Sequence, residues 1–296
     1  MARIFIQRGC IIDGIATLPE SEAKRLLRVL RMKPGDAVTM FDGSREYNAE
    51  LTRLSTKSAQ LRIISVTEKA GNGSIRIVLG QGMPKGEKLE MVIQKATELG
   101  VSSVVPVIME RSVKRPEDGG KLDRLRRIAT EAAQQCGRVD VPEVPGYADL
   151  DEFLKITAGA QLKILPYEGE KARSLQDVFA GLRSCSQDNP GLRSCRQEEG
   201  DVERDASGRG CGVDANDLTP ADGRTAGPSL ILSGTPAGPI AVAVLIGPEG
   251  GLTEDEVKKA EEAGFIPVSL GPRILRTETA GLAAIVIIQY ELGGLS

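Results

Sequence analysis

From residue 75 onward the chain alternates short apolar runs with segments whose apolar residues recur at helical spacing. The run at 240–246 is apolar at every position, which is typical of a strand buried on both faces. This alternation predicts parallel strands and an α/β fold. The predicted strands lie at 75–80, 104–108, 162–165, 240–246 and 267–270, and the predicted helices lie at 87–99, 122–136, 175–179, 253–264 and 279–290.

Three of these predicted helices carry end signals. Gly100 and Gly137 follow the first two at the position that favours a left-handed backbone. Thr253 and Glu256 have the spacing of a capping box, which predicts a helix start at residue 253.

The first 70 residues have a different pattern, which predicts a small, mostly β domain. A helix is expected at 21–30, with Leu26, Leu27 and Leu30 on one side. Several short strands close together indicate a small barrel, and residues 71–74 have the composition of a linker. The predicted strands lie at 3–6, 37–41, 47–54 and 59–66, with a tight turn at Asp42-Gly43 between the second and the third.

Residues 181–228 interrupt the alternation. They are rich in Gly, Ser, Asp, Arg and Pro, and they have too few large apolar side chains to offset the entropy of ordering. We expect an inserted, mobile surface loop. Its cysteines, Cys185, Cys195 and Cys211, lack the spacing of metal ligands, and no metal is expected.

Composition excludes several classes of site. The 296 residues include no His, which excludes a Ser-His-Asp triad, a Cys-His dyad and a His-ligated metal. Five Phe, four Tyr and no Trp provide few rings for stacking bases. No signal peptide is evident, and no apolar run approaches the roughly 18 residues of a spanning helix. We expect a cytoplasmic protein with reduced thiols and no membrane association.

Charge is unevenly distributed along the chain. Residues 1–70 contain 12 basic and 8 acidic residues, although the whole chain has a formal net charge of −3. A basic N-terminal quarter fits an anionic partner, but on charge alone a solvated surface is the preferred interpretation.

Three loops that follow predicted strands are candidates for ligand binding. The loop at 80–86 resembles a dinucleotide loop, but it fits neither the G-x-G-x-x-G nor the P-loop spacing. The loop at 245–253 contains three Gly and one Pro around Glu249, which exposes backbone at the carboxyl end of a parallel strand. The loop at 269–280 combines Gly271-Pro272 with apolar and ionisable residues that could enclose a small amphiphilic ligand. A tight turn and an ordinary capped connection are the alternatives for the last two.

Four segments together resemble one family: residues 88–101 (KLEMVIQKATELGV), residues 110–113 (ERSV), residues 131–138 (EAAQQCGR) with 141–143, and the two loops after residue 244. In order and spacing they resemble the SPOUT-class methyltransferases that modify N3 of a uridine in small-subunit (16S) ribosomal RNA, the RsmE family. The resemblance covers nearly the whole chain except 181–228. Lys24-Arg25 stands where many members have a His pair, and Cys136 stands where Ser is common.

The resemblance implies a PUA-like β-barrel RNA-binding domain at 1–70 and a SPOUT methyltransferase domain at 74–296, with the insertion at 181–228. It further implies a C-terminal trefoil knot, a homodimer with each site near the subunit interface, and S-adenosylmethionine (SAM) bound among the knot loops. The cofactor-binding residues it implies are Leu165, Ile246, Gly247, Pro248, Glu249, Gly250, Gly251, Leu270, Gly271, Ile274, Leu275, Arg276, Thr279 and Ala280.

The implied reaction also suggests catalytic and RNA-binding residues. Methylation at N3 develops negative charge on the uracil oxygens, and Arg138, Arg111 and Arg276 are candidates to stabilise it. Each arginine could instead clamp a phosphate or form an ion pair. Glu98, Glu278 or solvent could accept the N3 proton. Ribosomal RNA or the small subunit is the expected partner, through Lys24, Arg25, Arg28 and Arg31.

Other functions remain open from sequence. Methylation of another RNA and non-catalytic RNA binding are alternatives. A nicotinamide-dependent oxidoreductase would explain the alternation, but the glycine fingerprint with its ribose-binding acid is missing.

Overall fold

The computed structural model describes residues 2–7, 9–68, 75–112, 119–187 and 239–294, with backbone only at 119 and 183–187. Two six-stranded sheets organise these residues, one built from residues 2–68 and the other from residues 75–268. Contacts group both sheets into one unit, Met1–Leu175 with Ala237–Ser296, and separate it from Gln176–Pro236. None of the helices in these ranges is long and apolar enough to cross a membrane.

The first sheet is mostly antiparallel and runs in the order β1-β4-β5-β6-β3-β2, with β1 parallel to β4. Its core is formed by buried aliphatic side chains such as Ile4, Met40 and Leu61. The predicted strands are confirmed, but the short hairpin β2–β3 was not predicted. The strands are β1 (Ala2–Phe5), β2 (Ile11–Ile12), β3 (Ile15–Leu18), β4 (Ala37–Phe41), β5 (Arg45–Leu54) and β6 (Ala59–Glu68).

The helix of this part differs from the prediction at its end. Helix α1 (Glu20–Lys24) continues into a π-helical turn, Arg25–Val29, in which Leu30 N donates to Arg25 O at 3.0 Å. The wider turn rotates the following residues away from the core. Leu26 is fully buried but Leu30 is 42% exposed, so the prediction that they share one side of the helix is wrong.

The second sheet is fully parallel and runs in the order β12-β10-β11-β7-β8-β9. The α/β prediction is confirmed, and β11 has the predicted bounds. Gly100 and Gly137 have φ of +90° and +84°, as expected after helix ends. The strands are β7 (Ile75–Gly82), β8 (Ser103–Ile108), β9 (Ala148–Asp149), β10 (Leu162–Pro166), β11 (Ile240–Ile246) and β12 (Ile266–Val268).

The helices that accompany this sheet include one that was not predicted. That helix, α4, opens with a capping box between Asp149 and Glu152, and the predicted box of Thr253 and Glu256 is present in α6. The helices are α2 (Lys88–Glu98), α3 (Gly119–Cys136), α4 (Leu150–Ile156), α5 (Leu175–Gln187), α6 (Glu254–Glu262) and α7 (Thr277–Glu291).

Helix α5 corrects the predicted start of the insertion. The prediction ended this helix at residue 179 and began a loop at 181, whereas helical backbone continues to Gln187. Once a helix has started, each added residue gains a hydrogen bond, so a polar composition alone does not end it. The rest of the predicted insertion, with Cys195 and Cys211, and the predicted linker at 71–74 lie outside the described residues.

Helix α1 also brings a partly buried carboxylate, that of Glu22, close to the charge of Glu131 on α3. Burial raises the pKa of Glu22, the guanidinium of Arg25 at 3.6 Å opposes this rise, and the charge of Glu131 adds to it. The net pKa lies above the ordinary glutamate value. The folded state therefore favours the protonated carboxyl, and ionisation of Glu22 at neutral pH costs stability.

We expect Glu22→Gln to unfold at a higher denaturant concentration than the wild type at pH 8. The amide resembles the protonated acid, so this advantage should shrink as the pH falls and disappear below about pH 4, where both states of the wild type bind the proton. Urea unfolding at pH 8 and at pH 3.5 checks this. A variant less stable than the wild type at pH 8 would show that attraction to Arg25 outweighs burial.

Candidate active site

A cavity of about 770 Å³ lies at the carboxyl ends of β10, β11 and β12. Its walls are the loops that follow these strands, at 166–171, 246–252 and 269–280. The volume is in the range of small-molecule sites, and the carboxyl edge of a parallel sheet is where such sites form.

The loops around the cavity are held together by a buried hydroxyl. Thr277 Oγ1 accepts from Gln81 Nε2 at 2.8 Å and donates to the carbonyl of Gly247 at 2.5 Å. Gln81 is fully buried at the end of β7. These two hydrogen bonds connect the end of β7, the 246–252 loop and the start of α7.

The end of β7 also approaches the 246–252 loop too closely for a side chain. A Cβ at Gly82 would lie 2.5 Å from the backbone nitrogen of Pro248 and 2.8 Å from the carbonyl oxygen of Ile246. Glycine is therefore required for this approach.

Charged side chains of α2 and two loops meet at the cavity wall. Lys88 Nζ lies 2.8 Å from Glu249 Oε1 and 3.6 Å from Glu278 Oε1. The carboxylate of Glu249 also accepts from Lys85 N at 2.9 Å. Burial pushes the pKa of Glu249 upward, but the hydrogen bonds from Lys88 and Lys85 outweigh it, and the pKa lies below the ordinary value. Glu249 is thus held as a carboxylate that fixes its loop to α2.

Glu278 has the least satisfied carboxyl group of this cluster. Its residue is 7% exposed, and its Oε2 is buried with no hydrogen-bond partner among the described residues. An unpaired buried acceptor is costly, and a donor supplied from within the cavity would relieve that cost.

The predicted cofactor residues line this cavity with three exceptions. Leu165 is buried within the second sheet, and Thr279 is exposed on α7. The Cα of Gly250 faces Arg111, since a Cβ there would lie 3.0 Å from Arg111 Cβ.

The four predicted catalytic residues separate into two groups. Arg276 and Glu278 line the cavity, whereas Arg111 and Arg138 do not. Arg111 Nη1 donates to the carbonyl of Gly250 at 3.1 Å and supports the 246–252 loop from outside. The alternative base, Glu98, does not line the cavity either and is 2.9 Å from Lys95 Nζ on α2.

Arg138 is used in a different part of the structure. Its Nη1 donates to the carbonyls of Thr97 and Val101, both at 2.8 Å, and its Nη2 lies 2.6 Å from Asp140 Oδ2. The side chain is 8% exposed. Within one chain this guanidinium therefore connects backbone segments and does not reach the cavity.

The four predicted RNA-binding residues also differ in availability. Lys24 is ion-paired with Glu20, and Arg25 donates to Gln134 Oε1 on α3. Arg28 and Arg31 are exposed and have no hydrogen bond or ion pair within the described ranges.

Sequence reasoning missed the 166–171 wall of the cavity. The position of this loop could have revealed it, because the loop follows the predicted strand at 162–165 and lies at the same sheet edge as the other two loops. Its lining residues are Pro166, Tyr167, Glu168, Glu170 and Lys171. Elsewhere in the parts of the chain that the structure covers, no group of three or more His, Cys, Asp or Glu could hold a metal.

Comparison with protein families gives two matches. A model of the RNA methyltransferase domain matches residues 72–189 and 226–289, and a model of the RNA methyltransferase PUA domain matches residues 18–64. The chain is 30% identical to the ribosomal RNA small subunit methyltransferase E of Bacillus subtilis, over 91% of this chain and 88% of that protein.

Comparison with solved structures gives the same result. The ribosomal RNA small subunit methyltransferase E of Neisseria gonorrhoeae, solved bound to S-adenosyl methionine, is 28% identical with a TM-score of 0.69, covering 98% of this chain and 97% of that one. A methyltransferase of Legionella pneumophila, solved with the bound cofactor SAM, is 30% identical with a TM-score of 0.72 and the same two coverages.

Proposed function

This chain belongs to the ribosomal RNA small subunit methyltransferase E family, and on that basis we propose that it transfers the methyl group of SAM to N3 of a uridine in small-subunit (16S) ribosomal RNA. The cavity among the three loops carries the proposal, since a relative that aligns over nearly its whole length was solved with this cofactor.

The cavity has the features that SAM requires. Its volume suits a ligand of this size, and Ile246, Leu270 and Leu275 provide apolar walls. The buried, unpartnered Oε2 of Glu278 can accept from a donor in the cavity. When bound, SAM supplies a methyl group made electrophilic by the neighbouring sulfonium, so the reaction needs no metal.

Among the ionisable residues that line the cavity, we propose Glu278 and Arg276 as those that act on the uracil. We propose that Glu278 accepts the N3 proton, since it lines the cavity and its Oε2 is buried with no hydrogen-bond partner among the described residues. Loss of that proton leaves negative charge on the uracil oxygens, which the guanidinium of Arg276 would stabilise. Arg276 has no internal ion pair in the described segments, so its charge is available for this role.

We assign RNA binding to two exposed residues of the N-terminal domain, one in the π-helical turn Arg25–Val29 and one just after it. Arg28 and Arg31 are the available cations there, whereas Lys24 and Arg25 are already paired. N3 lies on the pairing edge of uracil, so the target base must be unpaired or extruded when it reacts.

The remaining parts of the proposal rest on the family. The matched segments 18–64 and 72–189 support a PUA-like RNA-binding domain at 1–70 and a methyltransferase domain at 74–296. A trefoil knot at the C-terminal end of the second sheet, a homodimer and a cytoplasmic location complete it.

The proposed activity is tested on small-subunit RNA isolated from cells that lack the gene. Incubation with the purified protein and SAM should produce 3-methyluridine, quantified by mass spectrometry of the nucleosides. Methylation at another position or of another RNA would replace the proposed substrate, and the absence of any methylation on free RNA and on assembled subunits would refute the activity.

We expect Glu278→Gln to lower the rate of methyl transfer by about 10²–10⁴-fold at saturating SAM, because the amide cannot accept the N3 proton. Single-turnover measurement of 3-methyluridine formation checks this. Glu98→Gln is the matched variant and should react like the wild type. If Glu98→Gln reacts slowly while Glu278→Gln does not, Glu98 is the base and the assignment is wrong.

The double variant Arg28→Gln/Arg31→Gln should bind small-subunit RNA more weakly while its affinity for SAM stays unchanged. The slope of log affinity against log salt should become shallower by about 0.7–0.9 for each arginine that contacts a phosphate. Filter binding at several salt concentrations measures the slope. Lys24→Gln, whose ammonium is already paired with Glu20, should change it less; an equal or larger effect would contradict this assignment.

A further inference from the structure

Arg3 reaches from the first sheet to the end of α3. Its Nη1 lies 2.8 Å from Glu46 Oε2 on β5, and its Nη2 donates to the carbonyls of Gly137 and Arg138 at 3.0 and 3.2 Å. The guanidinium also lies 5.1 Å from the ring centroid of Phe41. Only a fifth of the side chain is exposed, so this cation has the character of an internal connector.

The two ends of this connection are chemically distinct. Within the first sheet, a carboxylate and an aromatic face hold the guanidinium. Beyond it, the guanidinium meets backbone carbonyls just after α3, where a helix presents partial negative charge. A planar guanidinium can satisfy these partners at once, whereas an ammonium cannot do so in the same geometry.

The backbone that receives Arg3 is itself fixed to the second sheet's helices. Arg138 supplies one of the two carbonyls, and its side chain donates to Thr97 O at the end of α2 and Val101 O just beyond it. A single residue therefore accepts from the first sheet through its backbone and binds α2 through its side chain.

The same turn after α2 is in contact with α7. Gln289 Nε2 donates to the carbonyls of Leu99 and Gly100, both at 3.3 Å. Helix α7 begins at the cavity with Thr277 and Glu278, and α2 begins there with Lys88. Hydrogen bonds thus lead from β1 to the far ends of both helices that border the cavity.

A second contact joins the two parts on the side of the RNA-binding residues. Arg25, three residues before Arg28, donates to Gln134 Oε1 on α3. The π-helical turn that carries Arg28, with Arg31 just beyond its end, is therefore attached to α3 near the carbonyls that accept from Arg3.

We propose that Arg3 and Arg138 are positioning residues that hold the RNA-binding sheet in a fixed orientation relative to the cavity. The inference rests on the proposed function, and it replaces a catalytic role for Arg138 within its own chain. When RNA is bound at Arg28 and Arg31, its uridine then reaches Glu278 and Arg276 in one fixed orientation.

Such a role predicts a specific kinetic signature. A methyl transfer depends on the alignment of two bound reactants, and a displacement of about 1 Å can cost about 10²-fold in rate. Loss of the connection leaves both binding surfaces intact and removes only their alignment. Affinities should therefore persist while the rate falls.

The test is Arg3→Gln in the full chain, with three measurements. The dissociation constants of SAM, by calorimetry, and of small-subunit RNA, by filter binding, should stay within about twofold of the wild type, while the single-turnover rate with both saturating should fall at least about tenfold. Arg3→Lys should give an intermediate rate, because lysine keeps the positive charge but lacks the planar guanidinium that donates to several partners at once.

Arg62→Gln is the matched control. Arg62 forms an ion pair with Glu50 at 2.8 Å inside the first sheet, the same distance as Arg3 to Glu46, and within the described residues it has no hydrogen bond or ion pair to α3. It should react at the wild-type rate when RNA is saturating. If Arg3→Gln does not fold, Glu46→Gln takes its place, since it weakens the anchor within the sheet and should lower the same rate by less.

The outcomes separate the two hypotheses. A wild-type chain that neither binds SAM nor methylates RNA overturns the proposed function. A wild-type chain that methylates RNA, with Arg3→Gln equally fast, overturns only the positioning role. A fall in SAM affinity parallel to the fall in rate also overturns it, because the defect then lies in the cavity itself.

Discussion

The hydroxyl of Thr277 is the group on which the geometry of the site depends. It is the shared partner of a buried amide on β7 and of the Gly247 carbonyl, and it lies at the first residue of α7. The three segments it joins are far apart in sequence. The cavity wall depends on this small hydrogen-bonded group, on the close approach that Gly82 allows, and on the contact of Glu249 with Lys88 that fixes the loop to α2.

Some arginines of the family motifs hold the fold together, whereas others are available to act on a substrate. A guanidinium that donates to several backbone carbonyls cannot leave them for a substrate without exposing unpaired buried acceptors. Arg138 is in that state, whereas Arg111 is exposed and donates to the carbonyl of Gly250 at the surface. Arg276 faces the cavity without an internal ion pair among the described residues. In the N-terminal domain, Lys24 and Arg25 contact the side chains of Glu20 and Gln134, whereas Arg28 and Arg31 are exposed and have no side-chain partner among the described residues.

Sequence reasoning located most of the second sheet because strong, regular signals mark it. The apolar run at 240–246 and the glycines after α2 and α3 report burial and left-handed backbone directly. It missed the hairpin at 11–18 and helix α4, which are short and have few periodic residues. It also misplaced Leu30, because a π-helical turn leaves no signature in apolar spacing.

The part of the candidate site that is marked by glycine and proline could be predicted from the sequence. Glycine and proline mark the 246–252 and 269–280 loops, and these do line the cavity. Which charged residues reach the cavity depends on long-range packing, so the pairing of Arg138 with Thr97 and Val101 could not be inferred from a motif. The 166–171 wall was missed because its residues resemble an ordinary polar connection.

The most direct test of the account is calorimetric titration of SAM into the wild-type chain and into Thr277→Val, which keeps the shape and removes the hydroxyl. The account predicts saturable binding by the wild type and binding weakened at least about tenfold by the variant, as expected when a buried hydrogen-bonded partner is lost. The absence of binding to a folded wild type, or equal affinity for the two proteins, would contradict it.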